Sequence, residues 1–409
     1  MRHVWIVNHY AQEPGNGGGT RHFDLAKNLP KFGWSASIIA AGTEHNTGRQ
    51  RLNGEPHRLD DIQGVPFLWL KTPKYTRNGF ARLANMLAFA VRSVLTRATK
   101  DLQRPDAIVG SSVHPFAGLA GYILAKRFRV PFFFEVRDLW PETLIDMGAI
   151  TRNGVSAKIF RFIEGFLYRR AHRVITPLPL AHNYICRFGI SREKVIWIPN
   201  GVDFSRFMRI DPAPDRRPFT LMYFGAHGAA NGLSNVIEAM KQVAGSDIRL
   251  RLVGDGPNKR ELVAQANGAP NVIFEDPIPK DRIPLLAAEA DAFVFNLVNA
   301  PVFRYGVSPQ KLSDFMAAGR PVIFACDAPN NPIEDAKAGI TVPPGDPSRL
   351  AEAIKSIASM PNELRNEMGQ RGRNYALENL STENISKKLA RTLVSYETNQ
   401  QIMWSLADC

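Results

Sequence analysis

A chain of 409 residues is longer than one compact core usually serves, so two or three domains are expected. An apolar fraction of 44% with 22% charged residues excludes a low-complexity chain, and no window reaches the roughly 18 uninterrupted apolar residues of a membrane span. Lys and Arg total 51 against 38 Asp and Glu, a net charge of +13 that calls for an anionic partner; zinc-finger spacing, RNP-like motifs and basic heptad helices are missing, so a phosphorylated substrate or anionic lipid is favoured over nucleic acid.

The opening MRHVWIVNHY runs directly into a strand over 3–9 and lacks the apolar core of a signal peptide. Cys186, Cys326 and Cys409 are too scattered for a metal motif or a disulfide framework, so a cytoplasmic protein is expected. A glycine loop at 13–19 leads into a helix over 20–29, with Phe23, Ala26 and Leu29 on one face. Strand, glycine loop and helix let the backbone at Gly18 and Gly19 approach a phosphate, although a simple flexible turn has the same composition and the dinucleotide fingerprint is missing. Strands are expected over 34–41 and 65–70.

Residues 77–100 read as a helix with a broad apolar face of Phe80, Leu83, Leu87, Val91, Val94 and Leu95, set among basic residues. A second basic, aromatic helix, KIFRFIEGFLYRRAHR, covers 158–173. Such helices either lie in a membrane interface or pack a core with a basic outer face. Strands over 106–109 and 131–134 flank a helix starting near Pro115. Each ends in polar residues, with His114 after the first and Glu135, Arg137 and Asp138 after the second. These clusters should share one sheet edge, which makes them catalytic candidates; a structural ion pair would need the same residues. Strands over 173–176 and 194–198 and a turn at 199–203 complete this half.

The proline-rich, charged RIDPAPDRRP at 209–218 reads as a linker. Beyond it come a strand over 219–224, a small-residue loop at 225–232 and a helix over 233–243. Strands over 249–253, 271–274 and 292–296 follow, the first running into Gly254 and the second leading to Pro277 and Ile278. Strand–helix alternation in both halves predicts an α/β protein with two doubly wound parallel sheets and a ligand in the cleft between them. The expected domains are 1–208 plus a C-terminal helix 388–409, and 209–387.

The stretch RYGVSPQKLSDFMAAGRPVIFA at 304–325 is the most informative. Ser308 is the expected N-cap and Pro309 the first helical residue, with Leu312, Phe315 and Met316 on the apolar stripe. Gly319 and Arg320–Pro321 end the helix, and 322–325 is a buried strand. Lys311 and Asp314 lie three apart, away from that stripe. A cation near a phosphate and a carboxylate for sugar hydroxyls would suit a sugar nucleotide; a solvated ion pair has the same spacing. Residues 349–397 form a helical tail.

With these residues assembled, the chain resembles the retaining glycosyltransferases of family four, which have two facing Rossmann-like domains (the GT-B fold). The resemblance rests on the glycine loop, IPNGVD at 198–203, VGDGP at 253–257 and MAAGRPVI at 316–323. FEVRDLWPE at 134–142 and YGVSPQKLSDFMAAGRP at 305–321 look most like a bacterial branch that transfers an amino sugar, such as L-fucosamine, in surface-polysaccharide synthesis.

The resemblance implies transfer from a nucleotide sugar, UDP-linked, to a lipid-linked or saccharide acceptor, with retention. No cofactor is implied, because the donor is a substrate; no metal is required, because no Asp-x-Asp ends a strand. The family's E-x7-E pair falls on Gly306 and Asp314, and its phosphate-binding Arg and Lys fall on Ala226 and Asn231. Lys311 and Arg304 are therefore the candidates for diphosphate charge, with the N–H groups of Gly306, Val307 and Ser308. Asp314 would hold the ribose and Pro277 and Ile278 the uracil. Gly225, Asn231 and Gly254 would line the donor site, and Gly18 and Gly19 would approach from the other domain. Asp138, Arg137, Glu135 and His114 are the expected catalytic residues on the acceptor side, Arg137 standing where many relatives have a histidine. Peripheral contact with an anionic membrane, on the inner face of the plasma membrane, is also expected. A sugar-nucleotide epimerase and a catalytically silent binding protein are the alternatives.

Overall fold

The computed structural model describes residues 1–15, 19–44, 48–75, 79–207 and 218–407, which form two compact units. The first unit begins with β1 (Arg2–Asn8), α1 (Arg21–Asn28), β2 (Trp34–Ala41), β3 (His57–Ile62), β4 (Val65–Leu70) and α2 (Phe80–Leu95). It continues with β5 (Ala107–Ser111), α3 (Pro115–Phe128), β6 (Phe132–Glu135), α4 (Glu142–Asp146), α5 (Val155–Arg170), β7 (Arg173–Thr176), α6 (His182–Ile185) and β8 (Val195–Trp197). The sheet order is β3-β4-β2-β1-β5-β6-β7-β8, parallel except for β3. β1 and β2 are buried almost end to end, as strands covered on both faces of a parallel sheet should be. The sequence gives no signal for β3 because it is a polar edge strand. Its pairing with β4 comes from a tight turn with positive φ at Gln63 and Gly64.

The second unit contains β9 (Phe219–Phe224), α7 (Leu233–Gln242), β10 (Ile248–Val253), α8 (Lys259–Gln265), β11 (Val272–Glu275), α9 (Ile283–Ala287) and β12 (Ala292–Asn296). Then come α10 (Gln310–Ala317), β13 (Val322–Ala325), α11 (Pro332–Asp335), β14 (Gly339–Val342), α12 (Pro347–Ser359) and α13 (Asn362–Leu380). The all-parallel order is β11-β10-β9-β12-β13-β14. β14, also unforeseen, is a short edge strand; a side chain at Gly339 would collide with the Val322 carbonyl, so glycine permits the pairing. The last helix, α14 (Thr382–Ala407), returns to the first unit, where Ile385, Leu389 and Leu393 join the core and the helix packs on α1.

Both units are thus doubly wound α/β sheets, as expected. They divide after Pro199 and after Ser381, short of the 208/209 and 387/388 boundaries read from the sequence. The reason is local: the Asn200 N–H bonds Ser308 Oγ at 2.8 Å and the Val202 N–H bonds the Leu380 carbonyl at 2.9 Å, tying 200–207 to the second unit. Of the expected linker, only Pro218 lies within the described residues. Among those residues no helix is long and apolar enough to cross a membrane.

Each sheet reverses its winding once, between β1 and β5 and between β9 and β12. Ligands of doubly wound sheets bind at the carboxyl ends of strands flanking that reversal. α10 is fixed beside the second such point by Phe315, stacked on Phe293 at 4.6 Å and edge-on to Phe224 at 4.7 Å. Arg373 of α13 bonds the carbonyls of Ala317 and Phe207, holding the far end of α10.

Candidate active site

In the second unit the carboxyl end of β9 turns at Gly225, whose φ of 140° favours glycine. Lys311, one residue into α10, reaches across this turn. Its Nζ donates to Tyr223 Oη at 2.6 Å and to Asn231 Oδ1, and sits 4.7 Å from the centre of the Tyr223 ring. Asn231 and Tyr223 both donate to the Ala226 carbonyl, at 2.9 and 2.8 Å. Among the described residues no carboxylate pairs with Lys311, and burial lowers its pKa to about 7. An ammonium held by neutral oxygens beside a glycine turn has no countercharge of its own among those residues, which makes Lys311 the candidate for meeting an anion. Asp314 lies one turn further along α10 and is buried.

The structure corrects the expected helix-start cradle. α10 begins at Gln310 with Pro309 as its N-cap residue, one position later than expected. Ser308 does not cap it, because the Ser308 hydroxyl and carbonyl both accept from Asn200. The Gly306 N–H bonds the Phe303 carbonyl at 2.9 Å, and the Val307 N–H bonds Asn330 Oδ1 at 2.8 Å. Two of the three expected backbone donors are therefore occupied, and the first-turn N–H groups nearest Lys311 are those of Gln310 and Lys311 themselves. Arg304 is exposed; it folds over the Tyr305 ring and bonds the Pro301 carbonyl, so it is not brought together with Lys311.

Gly254 is explained by packing: a side chain there would meet the Gly225 carbonyl at 2.0 Å. Pro277 and Ile278 follow β11 after Asp276, and the Glu275 carbonyl accepts from the Gly254 N–H at 3.2 Å. Lys259 bonds the Gly254 and Glu275 carbonyls on the same edge.

In the first unit, β5 and β6 bring Ser111 opposite Glu135, so the two expected polar clusters do meet. Glu135, however, is buried and fully engaged. It accepts from Arg21 Nε at 2.9 Å, His22 Nε2 at 2.7 Å and Ser111 Oγ at 2.5 Å, while Arg21 also bonds the Ile198 and Pro199 carbonyls. Burial opposes its charge, yet Arg21 and His22 hold its carboxyl well below the usual range. Glu135 is thus built into a buried network, the arrangement expected of the structural ion pair that the sequence offered as the alternative to catalysis. Arg137 is half-buried, with Nε left without an acceptor, and Asp138 beside it is pushed up by burial against the pull of Arg137. His114 precedes α3; its Nε2 lies 2.7 Å from His9 Nδ1, and burial and then Arg82 lower it to about 3, so it is a neutral imidazole. Gly19 is exposed, and Gly18 lies outside the described residues.

Residues 16–201 match the family model for the glycosyl transferase 4-like domain, and residues 218–360 match that for glycosyl transferases group 1. These are the two halves of a GT-B glycosyltransferase. The chain is 24% identical to WcaI of Escherichia coli, assigned as a glycosyl transferase of colanic acid biosynthesis, over 80% of this chain and 83% of that protein. In fold it is similar to sucrose-phosphate synthase from Thermosynechococcus elongatus (TM-score 0.73, 18% identity, all of both chains). It is likewise similar to Anabaena HepE in complex with UDP-glucose (TM-score 0.68, 17% identity, 97% of this chain and all of that one).

At these sheet edges of the glycosyltransferase stand further residues that the sequence reading passed over. Arg21 and His22 begin α1 directly after the glycine loop, a position that places side chains on the sheet edge. His9 and Tyr10 follow β1 and line a small pocket with Gln12, Thr43, Glu44 and Arg51. Arg82 of α2 bonds Tyr10 Oη at 3.2 Å. His227 is buried beside Tyr223 and Phe274, with both ring nitrogens unpartnered, and is lowered to about 4 by burial and then Lys259.

Buried neutral histidines make the glycosyltransferase acid-sensitive. His3 at about 4, His114 at about 3 and His227 at about 4 bind fewer protons folded than unfolded, where the value is about 6.5. Stability therefore falls as pH drops below about 6.5, and Glu135 acts in the same direction because its pKa is depressed on folding. Melting temperature should decline from about pH 6.5 towards pH 4, the three histidines outweighing buried Glu164, whose raised pKa of about 8 acts the other way. A melting temperature that rises on acidification would contradict these protonation states.

Proposed function

We propose that the glycosyltransferase moves a sugar from a UDP-linked donor to a hydroxyl on a lipid-linked acceptor in surface-polysaccharide assembly, retaining the anomeric configuration. The single observation carrying this reading is the Lys311 ammonium, delivered from α10 to the turn after β9 and held there by Tyr223 and Asn231. The family's loop cations are replaced by Ala226 and Asn231, and Lys311 supplies the charge that the loop lacks. HepE in complex with UDP-glucose supports the donor class, and the assignment of WcaI to colanic acid synthesis supports the pathway class.

In this mechanism the donor diphosphate takes the Lys311 ammonium and the first-turn N–H groups of α10. The bond from C1 to the phosphate oxygen breaks, and Lys311 stabilises the negative charge gathering on the leaving diphosphate. The acceptor oxygen bonds to C1 on the same face, and its proton passes to the departing phosphate oxygen. Lys311 takes the part a metal ion plays elsewhere, so chelator should leave turnover unchanged. Arg137 and Asp138 hold the acceptor hydroxyl on the first unit, and the membrane carrying the acceptor is anionic.

Asp314 grips the ribose hydroxyls by charge-assisted hydrogen bonds. Asp314→Ala should weaken UDP and uridine alike by about 10–100-fold, or about 1.5–3 kcal/mol, in titration calorimetry. Unchanged affinity removes Asp314 from the site. The function itself is tested with radiolabelled UDP-sugars and a lipid extract. UDP release that requires the extract, with a product whose anomeric coupling matches the donor, supports the proposal. Conversion of donor without any acceptor indicates an epimerase, and an inverted anomer overturns retention.

A further inference from the structure

The helices α2, α3 and α5 pack side by side, α2 on α3 and α3 on α5, and their outward surface has an unusual composition. In α2 the side chains turned inward are Asn85, Met86, Phe89 and Ser93. The apolar stripe read from the sequence faces outward instead. Phe80 is 91% exposed, Val91 53% and Leu95 72%, with Leu83 and Leu87 exposed between them. Their spacing of three or four residues puts them on one side of the helix. α5 repeats the pattern with Val155 and Phe162, 74% and 72% exposed, and Ile159 between them, and Ile123 of α3 is exposed as well.

Charge on the same helices has one sign. Of the eight basic residues, Arg82 turns inward to Tyr10 and Arg161 pairs with Glu142 of α4, which leaves Arg92, Lys126, Arg127, Lys158, Arg169 and Arg170. The only acidic residue on the three is Glu164, buried between the Tyr168 and Tyr184 hydroxyls; burial raises it to about 8, so it stays largely neutral. An apolar stripe that faced a second protein copy would set these cations against each other. An anionic lipid surface accepts both features at once, the side chains in the acyl boundary and the cations among the headgroups.

We propose that the α2–α3–α5 face docks the glycosyltransferase on an anionic bilayer, with the side chains from Phe80 to Leu95 and from Val155 to Phe162 entering the headgroup boundary. This deepens the proposed function and rests on it for the lipid-linked acceptor. α2 links the two roles, since its Arg82 turns the other way, towards Tyr10 at the carboxyl end of β1.

The test is flotation of the whole protein with vesicles of phosphatidylcholine, with and without phosphatidylglycerol. The protein should float with the anionic vesicles and remain behind with the neutral ones. Leu87→Ser with Val91→Ser, both exposed, should lower partitioning about tenfold or more. Lys126→Gln and Lys158→Gln should each lower it by about fivefold. Absence of flotation on anionic vesicles overturns the proposal. So does flotation that the Leu87/Val91 variant leaves unchanged, which is adsorption by net charge elsewhere. A concentration-dependent dimer that the same variant dissolves, without flotation, assigns the face to a second copy and also overturns it. Transfer to a water-soluble acceptor analogue, measured on that variant, keeps the outcomes apart: lost docking with intact transfer leaves the proposed function standing.

Discussion

Lys311→Met should abolish most of the transfer activity while leaving the fold intact. The side chain is held only by Tyr223 and Asn231 and has no carboxylate partner among the described residues, so its removal strands no buried countercharge. If it stabilises the leaving diphosphate, kcat/KM should fall about 10²–10³-fold, or about 2.7–4 kcal/mol. UDP affinity should fall with it, whereas uridine, which lacks the phosphates, should bind almost as before. Equal losses for UDP and uridine would remove Lys311 from the phosphate site. A pH dependence accompanies the claim. Free Lys311 titrates at about 7, and a bound diphosphate raises that value, so above pH 7 binding must take up a proton. The UDP dissociation constant should therefore climb by up to about tenfold per pH unit above 7 in the wild type and stay flat across that range in the Met variant. Calorimetry in buffers of different ionisation enthalpy measures the proton uptake directly.

Glu135→Ala should be among the most destabilising single changes in the first unit. It leaves the Arg21 guanidinium and His22 buried without their acceptor. Breaking a buried pair in this way costs about 3–5 kcal/mol, far more than such a pair contributes when intact. Arg21→Ala breaks the same network from the other side and also releases the Ile198 and Pro199 carbonyls. The double variant should be less destabilised than the sum of the two. Thermal melts of all three variants provide the measurement. The competing view, a catalytic Glu135, predicts the reverse pattern: Glu135→Gln would melt like the wild type and yet be inactive.

The contrast between these two residues shows how far the sequence could be read. Long buried runs such as Val4–Val7 and Phe219–Phe224 announce their strands, and their alternation with helices announces the doubly wound sheets. Polar edge strands do not, because β3 is shaped by a turn and β14 by the single glycine that lets it approach β13. Lys311 could be singled out from its place on α10, but its partners could not, since Tyr223 and Asn231 are 88 and 80 residues away along the chain. Glu135 looked catalytic for the same reason it is structural: a carboxylate at a strand end next to an arginine serves either role. Only the positions of Arg21 and His22, more than a hundred residues earlier, separate the two. Ser308 illustrates a subtler limit, a good capping residue drawn away by Asn200. The α2 stripe is the opposite case, since its period is plain in the sequence while the side of the helix that faces inward is not.

The account turns on where the donor diphosphate binds, and a crystal soaked with UDP or a UDP-sugar measures that directly. The expected map shows the diphosphate beside the turn at Gly225, with a phosphate oxygen within hydrogen-bonding distance of Lys311 Nζ. A diphosphate bound at any other edge, with Lys311 still held only by Tyr223 and Asn231, would contradict it.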